Sequence, residues 1–377
     1  MIHSWKGCLG IFGVAAYAAI SSLAVPAAAD DLKTCSTAQG AAAMAACTAA
    51  ITSGKFAGHD LAVAYLNRGL LQVRQGEHSG AISDLNEAIR LDPSFAAAFL
   101  DRGVAYQNMA EYALALQDYT RAITLDPNSI NAYFNSGLVY SFTRNYDAAI
   151  LAYDQVIRLD PSNAGAFNNR CYVYTMQSAF DSAIRDCDKA IELNPRYVNG
   201  FVGRGNAYWH KGDYDRALQD YNQAIALDPN RASSFMARGS ANIEKGDYDN
   251  AIQDYSQALQ LNGNVATAWN GRCWARALKG QLNDALMDCN QALALEPNNA
   301  SFLDSRAFAY LKMGNLDQAI TDYTAALLLD PSHTTSLYGR GIAKQKKGDN
   351  AGGDADIEAA KKLKWKIADE FSRYGVH

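Results

Sequence analysis

No catalytic signature stands in this chain. Its 377 residues contain no GxSxG, no HExxH and no GxxxxGKS/T phosphate loop, so hydrolase, zinc-protease and nucleotide-binding readings find no support. CxxC is absent too. His59, His78, His210, His333 and His377 are scattered without ligand spacing, so no metal site and no cofactor is expected. Basic charge is not in excess: 34 Lys and Arg face 39 Asp and Glu, for a formal net charge of -5. A general nucleic-acid binder needs a basic footprint, so no nucleic acid is expected among the partners. Proline is sparse, with 8 in all, and beyond residue 29 no run is long and apolar enough to span a bilayer.

The one long apolar run is at the start. His3 and Lys6 give a weakly basic opening, the stretch from Gly7 to Val25 is apolar, and Pro26-Ala27-Ala28-Ala29 precedes Asp30-Asp31. This is the layout of a secretory signal peptide over residues 1–29 with an A-x-A cleavage site. The alternative is a membrane anchor, but the run is short, rich in Ala and Gly, and closes on a cleavage pattern. Lys6 is the only formal charge it removes, which leaves 33 basic against 39 acidic groups. The expected mature protein is exported, periplasmic in a Gram-negative cell, and has no stable membrane insertion.

The few prolines keep a beat. Pro93, Pro127, Pro161, Pro195, Pro229, Pro297 and Pro331 are spaced by 34 residues or twice 34, and the skipped beat falls on Gly263. A fixed period of this length marks a stacked array. Within Val198–Arg231, Phe201, Gly205 and Tyr208 share one face of a first helix, and Lys211-Gly212-Asp213 breaks it. Ala217, Tyr221 and Ala224 line a second helix, and Asp228-Pro229 ends it because the residue before proline is pushed out of the α region. Each unit reads helix–turn–helix–turn.

The recurring positions resemble the tetratricopeptide repeat. Counting each unit from residue 62 onward in steps of 34, the fourth position holds Tyr65, Phe99, Tyr133, Phe167, Phe201, Phe235, Trp269, Leu303 and Leu337. The eighth holds mostly glycine, as at Gly69, Gly103, Gly137, Gly205, Gly239 and Gly341, and the twentieth is alanine from Ala81 through Ala319. The resemblance implies an all-α, right-handed superhelical solenoid of antiparallel helix pairs. The expected organisation is a half-repeat cap at 30–61, eight units at 62–333, and a degenerate ninth unit at 334–377. Asp356–Tyr374 is read as a closing capping helix. No segment outside the array is long enough for a catalytic domain, so no enzyme is expected.

The chain is its own alignment. Arg recurs at the seventh position and Asp at the twenty-third in eight of nine units; the third unit lacks both, with Ser136 and Ala152. Joint loss predicts that the two side chains meet within a unit as an ion pair joining its helices, rather than as an anion-binding ladder. Cysteine behaves the same way. Cys171 with Cys187, and Cys273 with Cys289, fill the eighth and twenty-fourth positions of units four and seven and of no others. In an antiparallel helix pair the Cβ tilts at those positions converge, and an oxidising compartment favours the bond, so each pair is expected to be a disulfide. Cys35 with Cys47 follows by elimination. Small buried thiols are the alternative.

Resemblance to the repeat also implies a concave groove lined by the first helices, at their second, fifth, ninth, twelfth and thirteenth positions. These carry Phe134 and Phe142; Asn168 and Tyr172; Asn206 and Trp209; Met236; Asn270 and Trp274; Phe308; and Tyr338. Aromatics mixed with Asn suit a recognition surface, unless the groups pack between neighbouring first helices. Some family members grip a C-terminal carboxylate with Lys at the fifth position; none stands there here. The expected role is a scaffold or adaptor binding a protein or peptide segment through apolar anchors. A cell-envelope glycan or peptidoglycan stacked on Trp209 or Trp274 is the rival.

Overall fold

The computed structural model describes residues 27–376, so nearly all of the proposed leader (1–29) lies outside the described residues. Every element among the described residues is helical. The chain divides into two compact units, residues 1–177 and residues 178–377.

The first holds α1 (Ala27–Thr37), α2 (Gly40–Thr52), α3 (Gly58–Gln75), α4 (His78–Leu91), α5 (Ala96–Asn108), α6 (Tyr112–Leu125), α7 (Ile130–Phe142), α8 (Tyr146–Leu159) and α9 (Ala164–Met176). The second holds α10 (Phe180–Leu193), α11 (Val198–Lys211), α12 (Tyr214–Leu227), α13 (Ala232–Lys245), α14 (Tyr248–Leu261), α15 (Ala266–Lys279), α16 (Leu282–Leu295), α17 (Ala300–Met313), α18 (Leu316–Leu329), α19 (Thr334–Lys346), α20 (Asn350–Leu363) and α21 (Ile367–Arg373). Within each compact unit, every helix packs on the next in sequence, and first helices also touch the following first helix.

The turns explain the beat. At the thirty-first position Asp92, Asp126, Asp160 and Asp330 leave the helix in extended conformation, and each accepts a hydrogen bond from the backbone N–H two residues on. Asn262 does the same from Asn264 N–H, so the turn survives where Gly263 replaces proline. At the fifteenth position the first helix ends in the left-handed region, on Gly76, Gly212, Gly246, Gly280, Gly314 and Gly348. Ala110, Arg144 and Ser178 hold that position at φ 60° without being glycine.

The core repeats too. Tyr119, Tyr153, Tyr221 and Tyr255 at the twenty-fourth position are buried against the eighth-position glycine of their own unit. A Cβ on Gly103 would lie 2.6 Å from the Tyr119 ring, and on Gly137 or Gly205 2.7 Å from its tyrosine. Cysteine replaces this glycine–tyrosine contact. Cys273 and Cys289 are bonded, with Cα atoms 5.3 Å apart, and Cys35 and Cys47 are bonded with Cα atoms 4.6 Å apart. Cys171 and Cys187 are each fully buried and disulfide-bonded.

Two sequence expectations need correction. Residues 27–52 form two helices, α1 and α2, joined by the Cys35–Cys47 bond, where half a repeat was read. Asp356–Tyr374 is not one helix. Lys364 takes the extended conformation found at Asp330 one repeat earlier, α20 ends at Leu363, and the chain turns back as α21. The periodic turn thus forms without Asp-Pro.

Candidate interaction surface

The arginines are structural. Arg68–Asp84, Arg102–Asp118, Arg204–Asp220, Arg272–Asp288, Arg306–Asp322 and Arg340–Asp356 are bidentate pairs, with Nε and Nη2 donating to the two carboxylate oxygens at 2.6–2.9 Å. Arg238 also clasps Asp254, with Nη2 donating to Oδ1 at 2.6 Å and Nε shared between the two oxygens at 3.1 Å. The free Nη1 then donates to the twenty-fifth position of the preceding unit: Asn86 from Arg102, Asp188 from Arg204, Asn222 from Arg238 and Asn290 from Arg306. One guanidinium therefore ties two helices of its own unit to the unit before. Burial raises Asp220 and Asp254 above the usual carboxylate range, and their Arg partners pull the other way.

A second ladder crosses the repeats. Lys211 pairs with Asp181 at 2.6 Å; Lys245 pairs with Asp215, Lys279 with Asp249 and Lys347 with Asp317. Gln177 donates to Asp147 in the same register. Sequence reading missed both crossings, although each is a recurring pair of columns: fourteen with the preceding eighteen, and seven with the preceding twenty-five.

Nine of the candidate groove residues fall into three groups. Phe142 and Tyr172 are exposed, at 47% and 40%. Phe142 stacks on Tyr112 of the preceding repeat, centroids 6.2 Å apart, as His210 stacks on Phe180 at 6.3 Å. The second group is half-buried and engaged within the array. Phe134 meets Tyr153 edge-on, Asn206 Oδ1 accepts from the Tyr221 hydroxyl at 2.7 Å, and Met236 packs beside the Phe235–Tyr255 cluster. Asn168 lies beside Asn169, and Trp209 packs on Ala217, Tyr221 and Ala241. The third group is a correction. Asn270 and Phe308 were expected to face solvent and are 6% and 1% exposed. Asn270 lies on α15, which contacts the first helices α13 and α17. Phe308 is covered by the returning chain end.

That end makes the most developed feature of the surface. Trp274 and Phe308 lie 4.6 Å apart, and Tyr374 meets Trp274 edge-on at 5.3 Å. Phe371 packs on Tyr338 at 4.8 Å and on Phe308 at 6.0 Å. Ile367, Phe371 and Val376 are buried in this cluster. Lys312 Nζ donates to the Tyr374 carbonyl at 3.2 Å and lies 5.7 Å from the Phe308 ring centroid. Trp274, Phe308 and Tyr338 are thus brought together, on α15, α17 and α19, by a segment of the same chain.

Three candidate residues keep polar atoms that are buried without a protein partner: Asn168 Oδ1, Trp209 Nε1 and Asn270 Oδ1. Among the described residues no group of three or more His, Cys, Asp and Glu could hold a metal ion, and no helix is long and apolar enough to cross a membrane.

Comparison with known proteins agrees with this architecture. Models described as tetratricopeptide repeat match residues 96–129, 130–163, 164–197, 202–266, 236–300 and 305–333, and one described as TPR repeat matches 69–109. None of the curated proteins matches. Among solved structures, a tetratricopeptide repeat protein from Parabacteroides merdae ATCC 43184 is 19% identical, covering 65% of this chain and 97% of its own, with a TM-score of 0.56. YrrB, described as a TPR protein with an unusual peptide-binding site, is 21% identical over 50% of this chain and 97% of its own, with a TM-score of 0.41. MamA is 23% identical over 44% of this chain and 96% of its own, at 0.37. With repeat matches along most of its length, the chain belongs to the tetratricopeptide repeat family.

Proposed function

We propose that this protein is an exported interaction scaffold that binds a protein or peptide segment on the face of its first helices. The observation that carries this reading is the closing segment: α21 with its anchor Phe371, followed by Tyr374, is seated on Trp274, Phe308 and Tyr338. A face that holds one amphipathic segment has the chemistry to hold another. Phe142 and Tyr172, exposed in the first compact unit, offer a candidate surface of that unit, where the unpartnered Asn168 Oδ1 is an acceptor; in the second compact unit the unpartnered Trp209 Nε1 is a donor.

Export is supported by the leader-like residues 1–29 and by the oxidised cysteines, since disulfides persist in oxidising compartments. A bacterial periplasm fits both. Cleavage there would leave the cap at 30–61, the eight units at 62–333 and the closing segment at 334–377.

Capture from cell-envelope extract tests the scaffold reading, with wild type compared to Phe142→Ser/Tyr172→Ser and Trp209→Ala. Recovery of a defined polypeptide that the variants lose supports it. Retention of wall polysaccharide alone overturns it in favour of the glycan binder. The coverage of Trp274 by Phe308 and Tyr374 counts against sugar stacking at that residue.

A further inference from the structure

The chain's closing segment describes the partner that this surface fits. Three buried side chains, Ile367, Phe371 and Val376, and the ring of Tyr374 face the cluster built on α15, α17 and α19. Ile367 and Phe371 are one helical turn apart, and Tyr374 follows three residues later, so all three fall on one side of the segment. The polar side carries Asp369, Ser372 and Arg373, which are exposed. At its C-terminal end the helix has carbonyls that no further turn can satisfy, and Lys312 reaches one of them, at Tyr374. The cation thus reads the end of a helix, while Trp274, Phe308 and Tyr338 read its aromatic side.

Attachment of the segment is local and slender. Lys364, Trp365 and Lys366 link it to α20; Trp365 is 77% exposed, and Lys364 Nζ contacts Glu370 at 2.5 Å. Seven residues of helix are too few to be stable alone in water, so α21 owes its order to the surface beneath it.

We propose that Trp274, Phe308, Lys312 and Tyr338 form a docking site for the C-terminal end of an amphipathic helix with aromatic anchors three residues apart, and that the protein's own segment 365–376 is a resident ligand that a partner helix must displace. This rests on the scaffold reading above and adds the partner's chemistry and a gate. A tethered ligand competes at a high effective concentration, so an incoming helix binds weakly until the tether loses an anchor.

The test uses the full chain and a fluorescein-labelled peptide of sequence Lys364–His377, followed by anisotropy. Phe371→Ala in the full chain is expected to bind the peptide at least ~10-fold more tightly than wild type, because the resident segment has lost its central anchor. Adding Lys312→Met to that variant is expected to weaken peptide binding at least ~5-fold with helical circular dichroism unchanged. Equal affinity for wild type and the Phe371→Ala chain, with both helical, overturns the proposal. A second measurement stands if the variant misfolds: hydrogen exchange of Tyr374, Gly375 and Val376 amides in wild type. These amides are bonded to Glu370, Ser372 and Phe371 carbonyls. Saturating unlabelled peptide is expected to speed their exchange, and unchanged exchange overturns displacement. Failure here leaves capture through Phe142, Tyr172 and Trp209 separately measurable, so the two readings fall independently.

Discussion

Exchanging the Cys273–Cys289 bond for the glycine–tyrosine contact used by neighbouring units tests the core logic directly. Tyrosine at the twenty-fourth position needs space on one of two sides. Tyr119, Tyr153 and Tyr221 find it over Gly103, Gly137 and Gly205 of their own units. Tyr323 faces Ala307 in its own unit and leans over Gly339 of the next, which its ring approaches more closely still. In unit seven neither side is open: Cys273 stands at the eighth position and Ser305 where the following unit would need glycine. Cys289→Tyr alone therefore loses the bond, about 3 kcal/mol for a loop of ~15 residues, and adds about 1–3 kcal/mol of overpacking. Cys273→Gly alone also loses the bond and leaves a void. Combining them loses the bond only once and seats the ring. The double variant should be more stable than Cys289→Tyr by about 1–3 kcal/mol, less a few tenths for glycine's poorer helix propensity. Because repeat arrays open unit by unit, the readout is hydrogen exchange of α15 and α16 amides, supported by denaturant unfolding. Simple addition of the two single-variant losses, within about 0.5 kcal/mol, would refute the packing argument.

Three further outcomes are expected. Replacing Ala110 or Arg144 by Gly should each raise stability by about 1 kcal/mol in denaturant unfolding, since both occupy the left-handed position that glycine fills elsewhere. Asp254→Ala should cost about 3 kcal/mol because it leaves Arg238 without its bidentate partner, whereas Asn222→Ala removes only the crossing arm and should cost about 1 kcal/mol. Burial pushes Asp101 up to about 7, with Arg74 pulling the other way. A carboxyl raised above its unfolded value favours the folded state at low pH and loses that contribution as pH rises toward and through 7, so thermal midpoints should fall across that window and Asp101→Asn should flatten the slope.

What the sequence disclosed followed from its repetition. Joint absence of Arg and Asp at Ser136 and Ala152 was enough to pair the two columns elsewhere, and joint appearance of cysteine did the same for Cys273 and Cys289. Turns were legible because Asp before proline has few conformations. The surface was less so. Whether Asn270 is open or enclosed depends on how closely neighbouring helices approach α15, a distance no single column encodes. Phe308 is buried by a segment some sixty residues later that belongs to no repeat. Lys364-Trp365 carries no breaker, so its turn, set by register with earlier units, was invisible to local rules. Lys211 with Asp181 could have been found by comparing columns across the repeat boundary rather than within it.

In mechanical terms, the lysine–aspartate contacts are springs between adjacent repeats. Each is exposed, so its stiffness falls as salt shortens the reach of charge, about 8 Å at physiological ionic strength. The joint between units seven and eight has no such spring: its columns hold Asn283 and Met313. Lys312, one residue away, instead donates to the Leu278 carbonyl of unit seven and to Tyr374 of the returning segment. The segment therefore braces one of the joints that the ladder leaves loose. Compliance at that joint follows whatever occupies the face, so exchanging one helix for another changes how readily the array flexes there as well as what is bound.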